Sequence, residues 1–242
     1  MAIFRCTFRS ALLTNDTNLN IILPDKRFQP PKVMYLLHGY QQHFGSWLNQ
    51  SSVARYAAGK NLAIVMPDGG RSFYTDMTTG ENYYSYIVKE LPRFLKAQLG
   101  LEPDREDMAV AGLSMGGYGA LKIGMNNPDM FSMIGAFSPA CDIVKIAKDN
   151  PLLSRAICGD MELKDSEHDL FHLAEALKNS DNAPKIFHYC GDNDFLLKEN
   201  HRFRDHALSL GLKYSYTEEP GSHEWDMWDK WVKDFIDKFM AE

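Results

Sequence analysis

Residues 110–120 read Val-Ala-Gly-Leu-Ser-Met-Gly-Gly-Tyr-Gly-Ala, which sets Ser114 inside Gly-x-Ser-x-Gly between an apolar stretch and a helix-forming one. That order, strand then serine then helix, is the layout of a nucleophile elbow. A serine on so sharp a turn holds its hydroxyl out toward a carbonyl, and side chains at Gly112 and Gly116 would collide with neighbouring backbone. The next backbone N–H, at Met115, opens a helix, where unpaired donors and the helix dipole favour an oxyanion. The chemistry would be acyl transfer. The bare pattern arises by chance in about one chain in ten of this length, so the remaining residues must decide.

Acyl transfer through serine needs a base, and an acid to orient that base. On a strand-turn-helix scaffold these follow in the order nucleophile, acid, histidine, each on a loop after a strand. Of the eight histidines, His201, His206 and His223 follow a candidate acid. His201 and His206 sit among Lys198, Glu199, Arg202, Arg204 and Asp205 on what reads as a solvated helix. His223 lies in the turn-rich loop Glu-Glu-Pro-Gly-Ser-His-Glu-Trp and is the expected base. The loop Cys190-Gly191-Asp192-Asn193-Asp194-Phe195 offers two aspartates that position alone does not separate. One would orient the His223 ring, and the other would cap the following helix. A second oxyanion donor is expected in the loop after an early central strand, where His38-Gly39-Tyr40 assigns it to the Tyr40 N–H.

The elements that must position these groups are legible as short apolar runs alternating with segments of helical period, the signature of a mainly parallel sheet. Residues 3–10 and 18–23 predict two opening antiparallel strands. Residues 33–37, 62–66, 108–111, 134–137, 186–189 and 213–217 predict the rest. Helices are expected over 52–59, 82–99 with a kink at Pro92, 117–125, 196–210 and 225–240. Trp228, Trp231, Val232, Phe235, Ile236 and Phe239 share one side of the last helix and read as core packing. Residues 139–183 carry helical pieces and no strand, and would form a small cap over the C-terminal strand ends.

A chain of 242 residues suits a single domain of this class. Its net charge of -6 comes from intermixed acids and bases with no Lys/Arg-rich run, which excludes nucleic acid as the expected partner. No apolar run approaches the roughly 18 residues of a membrane span, and Met1–Cys6 lacks the apolar core of a signal peptide, so a cytoplasmic protein is expected. Cys6, Cys141, Cys158 and Cys190 are scattered and read as reduced thiols. His168 and His172 have the spacing of a helical metal pair, but without a surrounding motif they read as part of a solvated cap helix.

Five segments together match a known family. Leu-Leu-His-Gly, Met-Pro-Asp-Gly-Gly-Arg-Ser-Phe-Tyr-Thr-Asp, Gly-Leu-Ser-Met-Gly-Gly-Tyr-Gly-Ala, Tyr-Cys-Gly-Asp-Asn-Asp-Phe-Leu and Pro-Gly-Ser-His-Glu-Trp occur in that order between Phe4 and Phe239. The chain resembles the esterase D family of α/β-hydrolases, most of all its bacterial tributyrin esterases, with feruloyl esterases close by. The resemblance implies an α/β-hydrolase fold with helices flanking the sheet, to which residues 139–183 would add the small helical cap. It implies Asp194 rather than Asp192 as the acid, and supports Ser114, His223 and the backbone of Tyr40 and Met115. Asp76 ends a matched segment and Tyr83 lies just beyond it, and neither has a physical role to assign. Family members often carry another residue after His-Gly, so Tyr40 is expected to narrow the acyl pocket. Residues 141–182 match no motif and are expected to control substrate selection.

The expected mechanism is attack of Ser114 on an ester carbonyl, with His223 as base, and hydrolysis of the acyl-serine by water. It needs no metal or cofactor. Trp47, Phe73, Tyr74 and Trp225 are candidate pocket walls, suited to short acyl chains first and to phenolic or acetylated plant sugars next. A glutathione thioesterase or an acyl transferase would use the same residues. A prolyl-oligopeptidase-like peptidase lacks its extra domain here, and a non-catalytic binding protein would usually have lost a triad member. The expected partner is a small ester, and the sequence leaves open whether the chain forms a homo-oligomer.

Overall fold

The structure, a computed structural model, describes residues 1–25 and 29–242. Eight strands form one sheet: β1 (Ala2–Arg9), β2 (Asp16–Leu23), β3 (Lys32–Leu37), β4 (Leu62–Pro67), β5 (Met108–Leu113), β6 (Met133–Phe137), β7 (Lys185–Gly191) and β8 (Tyr214–Glu219). Their order is β1-β2-β4-β3-β5-β6-β7-β8. β1 pairs antiparallel with β2 and β2 antiparallel with β4, and every later pairing is parallel. After β3 the chain runs outward to β4, then returns to place β5 on the other side of β3. Loops leaving β3 and β5 therefore diverge, which opens a crevice at the C-terminal strand ends. Leu37 lies beside Gly112 in the register, so the His38-Gly39 loop and the elbow emerge as neighbours.

Parallel strands covered on both faces must be apolar on both. In β3, Val33, Tyr35 and Leu37 face one core, and Met34 and Leu36 face the other. The second core is closed by the C-terminal helix Trp225–Ala241, which buries Met227, Trp228, Trp231, Val232, Phe235, Ile236 and Phe239 along one stripe. The first is closed chiefly by the helix Met115–Asn126, eleven of whose residues are buried.

The expected kink at Pro92 takes a specific form. Tyr83–Ser85 is helical, Tyr86–Glu90 is a π turn, and the helix Leu91–Leu99 begins with the proline in its first turn. Proline lacks an N–H and its ring would strike the carbonyl one turn back, and the wider turn before it removes both conflicts. Asp76 now has a structural role: its carboxylate accepts from the Ser85 N–H at 2.8 Å and the Ser85 hydroxyl at 2.6 Å, which ties the matched loop to this helix.

The segment after β6 forms three helices, Ile143–Asp149, Pro151–Cys158 and Leu170–Leu177, capped by Asp142, Asn150 and Asp169. The last packs beside the helix Met115–Asn126, and the Tyr118 hydroxyl donates to the His168 carbonyl at 2.8 Å. His168 precedes the helix and is buried, whereas His172 lies on it and is exposed, so the two do not form a solvated helical pair. Among the described residues no cluster of three or more His, Cys, Asp or Glu could hold a metal ion.

One charge lies deep in this core. Lys122 is 1% exposed, donates to the Tyr74 carbonyl at 3.2 Å and stands over the Tyr84 ring. Burial lowers its ammonium from 10.5 to about 7. The unfolded chain binds that proton more readily between those values, so folding stability rises with pH through the window. Lys122→Met is expected to stabilise the protein at pH 7 by about 1–4 kcal/mol and to flatten the rise toward pH 10. Urea unfolding at both pH values would check this.

Candidate active site

Ser114 follows β5 at φ 54° and ψ -116°, a strained conformation for a residue with a side chain. The flanking glycines make that turn sterically feasible. A Cβ at Gly112 would lie 2.3 Å from the Gly116 carbonyl oxygen, and one at Gly116 would lie 2.5 Å from the Leu37 oxygen.

Around the elbow three loops converge. His223 Nε2 lies 3.0 Å from Ser114 Oγ, and Nδ1 lies 2.8 Å from Asp194 Oδ2. The carboxylate can only accept from the ring, so Nδ1 carries the proton and Nε2 is free to accept from the serine hydroxyl. The Asp194 side chain is fully buried, and its Oδ1 accepts from the Leu196 N–H at 2.8 Å. Burial alone would raise this carboxyl, but the bonds from His223 and Leu196 outweigh it and hold it below the ordinary 3.8. Asp192 does not cap the following helix as expected. It accepts from the Gly221 N–H at 3.1 Å and so tethers the histidine loop.

The orientation of two backbone N–H groups is set from behind. In a trans peptide the carbonyl and the next N–H point in opposite directions. The Gly39 carbonyl accepts from His38 Nδ1 at 2.8 Å and from the Gln42 N–H at 3.2 Å, which turns the Tyr40 N–H the other way. His38 Nε2 accepts from the Gly69 N–H at 2.9 Å, and this assigns the ring proton to Nδ1. Likewise the Ser114 carbonyl accepts from the N–H groups of Tyr118 at 3.0 Å and Ala140 at 3.2 Å, which turns the Met115 N–H outward.

A cleft of about 590 Å³ opens over these groups, lined by Gly39, Tyr40, Gln41, Gln42, Leu113, Ser114, Phe195, His223, Glu224, Trp225 and Trp228. Residues 10–241 match the sequence profile of a family described as "Putative esterase". The chain belongs to this esterase family. It is 35% identical to an acetyl esterase of Caldicellulosiruptor saccharolyticus, over 96% of each chain. FphF, a fluorophosphonate-binding serine hydrolase of Staphylococcus aureus, superposes with a TM-score of 0.92 at 29% identity, over 100% of this chain and 99% of that one. The S-formylglutathione hydrolase FrmB of the same organism superposes with a TM-score of 0.89 at 29% identity, over 99% and 98%. The fold is that of the α/β-hydrolases, and the protein is a carboxylic ester hydrolase of the serine type.

Of the four aromatic walls expected in this esterase, Trp225 lines the cleft and three do not. Trp47, Phe73 and Tyr74 are buried. Trp47 Nε1 donates to the Leu37 carbonyl at 3.0 Å and the Tyr74 hydroxyl to the His38 carbonyl at 2.9 Å, while Phe73 packs between the rings of Tyr40 and Tyr118. With His38 on the Gly39 carbonyl, three successive carbonyls at the end of β3 are each held by a side chain. The walls that sequence reasoning missed are Phe195, Trp228, Gln41, Gln42, Leu113 and Glu224. Phe195 is 76% exposed although its ring centre lies 4.5 Å from that of His223, and an aromatic directly after the acid in the chain was the available signal. No residue of 139–183 is among the lining residues, so the segment expected to control selection does not wall this cleft.

Proposed function

We propose that the esterase hydrolyses short-chain, uncharged carboxylic esters through an acyl-Ser114 intermediate. The observation that carries this is the continuous chain from Asp194 through His223 to the Ser114 hydroxyl, at 2.8 and 3.0 Å. His223 takes the serine proton as Oγ attacks the carbonyl, and Asp194 holds the ring in its working tautomer and stabilises the imidazolium. The N–H groups of Tyr40 and Met115 receive the oxyanion. His223 returns the proton to the leaving alcohol. It then activates the water that releases the acid and regenerates Ser114.

Substrate class follows from the wall chemistry. The lining is aromatic and amide-bearing, and its one formal charge besides the triad is that of Glu224, with no lysine or arginine. A glutathione thioester would bring carboxylates to a cleft whose lining residues carry no cation, Arg71 standing outside that lining over the Tyr40 ring at 5.4 Å, whereas an acetyl or butyryl ester asks for none. The acetyl esterase relative supports the same choice. The rings of Phe195, Trp225 and Trp228 favour a feruloyl ester as the second substrate, since they present flat surfaces to a phenolic ring. A cytoplasmic setting accords with four cysteines that are all free.

A panel of p-nitrophenyl acetate, p-nitrophenyl butyrate, tributyrin, methyl ferulate and S-formylglutathione tests the proposal. The expected result is a kcat/KM for the short acyl esters at least about tenfold above those for methyl ferulate and S-formylglutathione. A preference for S-formylglutathione would contradict it.

A further inference from the structure

Behind the elbow lies a buried set of polar side chains outside the triad. The Ala140 N–H holds the Ser114 carbonyl, and the other end of that same peptide, the Pro139 carbonyl, accepts from Asn200 Nδ2 at 3.0 Å. Asn200 Nδ2 also donates to the Leu196 carbonyl at 2.8 Å, and the Leu196 N–H is bound to Asp194. With both amide hydrogens committed to carbonyls, the orientation of the Asn200 side chain is fixed. Its Oδ1 then faces His188 Nε2 at 2.5 Å and the Cys141 thiol at 3.9 Å. Nε2 must carry the ring proton, and Nδ1 accepts from the Tyr214 hydroxyl at 2.5 Å. Both His188 and Asn200 are fully buried, and burial lowers His188 to about 4, which keeps the ring neutral.

Every donor in this series faces the same way. Tyr214 donates to His188, His188 to Asn200, Asn200 to Pro139 and Ala140 to Ser114, and the Met115 N–H ends the line at the proposed oxyanion site. Aligned bonds in a low-dielectric interior polarise one another. We infer that Asn200, oriented by His188, is a positioning residue for the oxyanion hole, one that fixes the Ser114–Met115 peptide and strengthens the Met115 donor as negative charge develops on the substrate oxygen. The inference rests on Ser114 as nucleophile, which labelling of the wild-type serine tests separately.

A network that served only the fold would change stability without distinguishing transition state from ground state. Asn200→Asp keeps the size and the acceptor for His188 but turns carboxylate oxygens toward the Pro139 and Leu196 carbonyls. For the folded variant, kcat on p-nitrophenyl acetate is expected to fall about 10- to 100-fold with KM within about twofold. Affinity for phenylboronic acid, which forms a tetrahedral adduct on serine, should fall by a similar factor, while affinity for the product acetate should not. In wild-type protein carrying ¹⁵N-histidine, His188 should show a protonated Nε2 whose resonance shifts when phenylboronic acid binds, a measurement that needs no variant to fold. Wild-type kcat in folded Asn200→Asp, unchanged boronate affinity, a His188 proton on Nδ1 or a resonance indifferent to the adduct would each overturn the inference.

Discussion

Ser114→Ala is expected to lower kcat on p-nitrophenyl acetate by about 10⁵- to 10⁶-fold, the loss that follows removal of the nucleophile from a serine hydrolase site. KM should change little, because the residues that wall the cleft remain in place. Stability should also hold. Alanine meets the same positive φ that serine already tolerates, and the hydroxyl's side-chain bond is the one to His223. Stopped assays at high enzyme concentration and thermal unfolding of the same preparation would check both parts. A variant that keeps its melting temperature and turns over within tenfold of wild type would remove Ser114 from the chemistry.

Asp194→Asn should be nearly as damaging, by about 10⁴-fold in kcat, although the two side chains have almost the same shape. The amide can present hydrogens to His223 Nδ1 where the carboxylate can only accept. The ring proton then moves to Nε2, and Nε2–H cannot take the serine proton. The buried negative charge that stabilises the imidazolium is lost as well. Asp192→Asn is the matched control. Asp192 binds the Gly221 N–H rather than the ring, and an asparagine oxygen can keep that bond, so kcat should stay within about threefold of wild type. Equal losses in the two variants would argue that the loop as a whole matters, not the carboxylate on the ring.

The frame was legible in the sequence because each strand end carries its own punctuation. Five apolar runs that end in His38-Gly39, Pro67-Asp68, the Ser114 elbow, Ser138-Pro139 and Gly191-Asp192 mark the C-terminal edge of a parallel sheet, where loops must diverge. The convergence of Ser114, Asp194 and His223 follows from that edge, though proximity in chain order could not separate Asp192 from Asp194. Only the direction each loop turns does so, and Asp192 turns toward Gly221.

The cleft walls were much less legible. An aromatic residue near a strand end suits a wall and a core equally, and the outcome depends on backbone direction. Phe73 and Tyr74 both have positive φ, near 50°, which carries them under the His38-Gly39-Tyr40 loop instead of over it. His188 and Asn200 left no sequence signal at all. A polar residue in a buried strand and another in a mid-polar helix meet only because β7, the helix Leu197–Ser209 and the segment after β6 pack together.

The proposed hydrolysis passes through a covalent acyl group on Ser114. Its most direct measurement is peptide mass mapping after acid quench of the wild-type enzyme during steady turnover of p-nitrophenyl acetate. One acetyl group is expected on the peptide that contains Ser114, and none there in Ser114→Ala. Turnover with that peptide unmodified, or an acetyl group confined to another residue that is needed for activity, would contradict it.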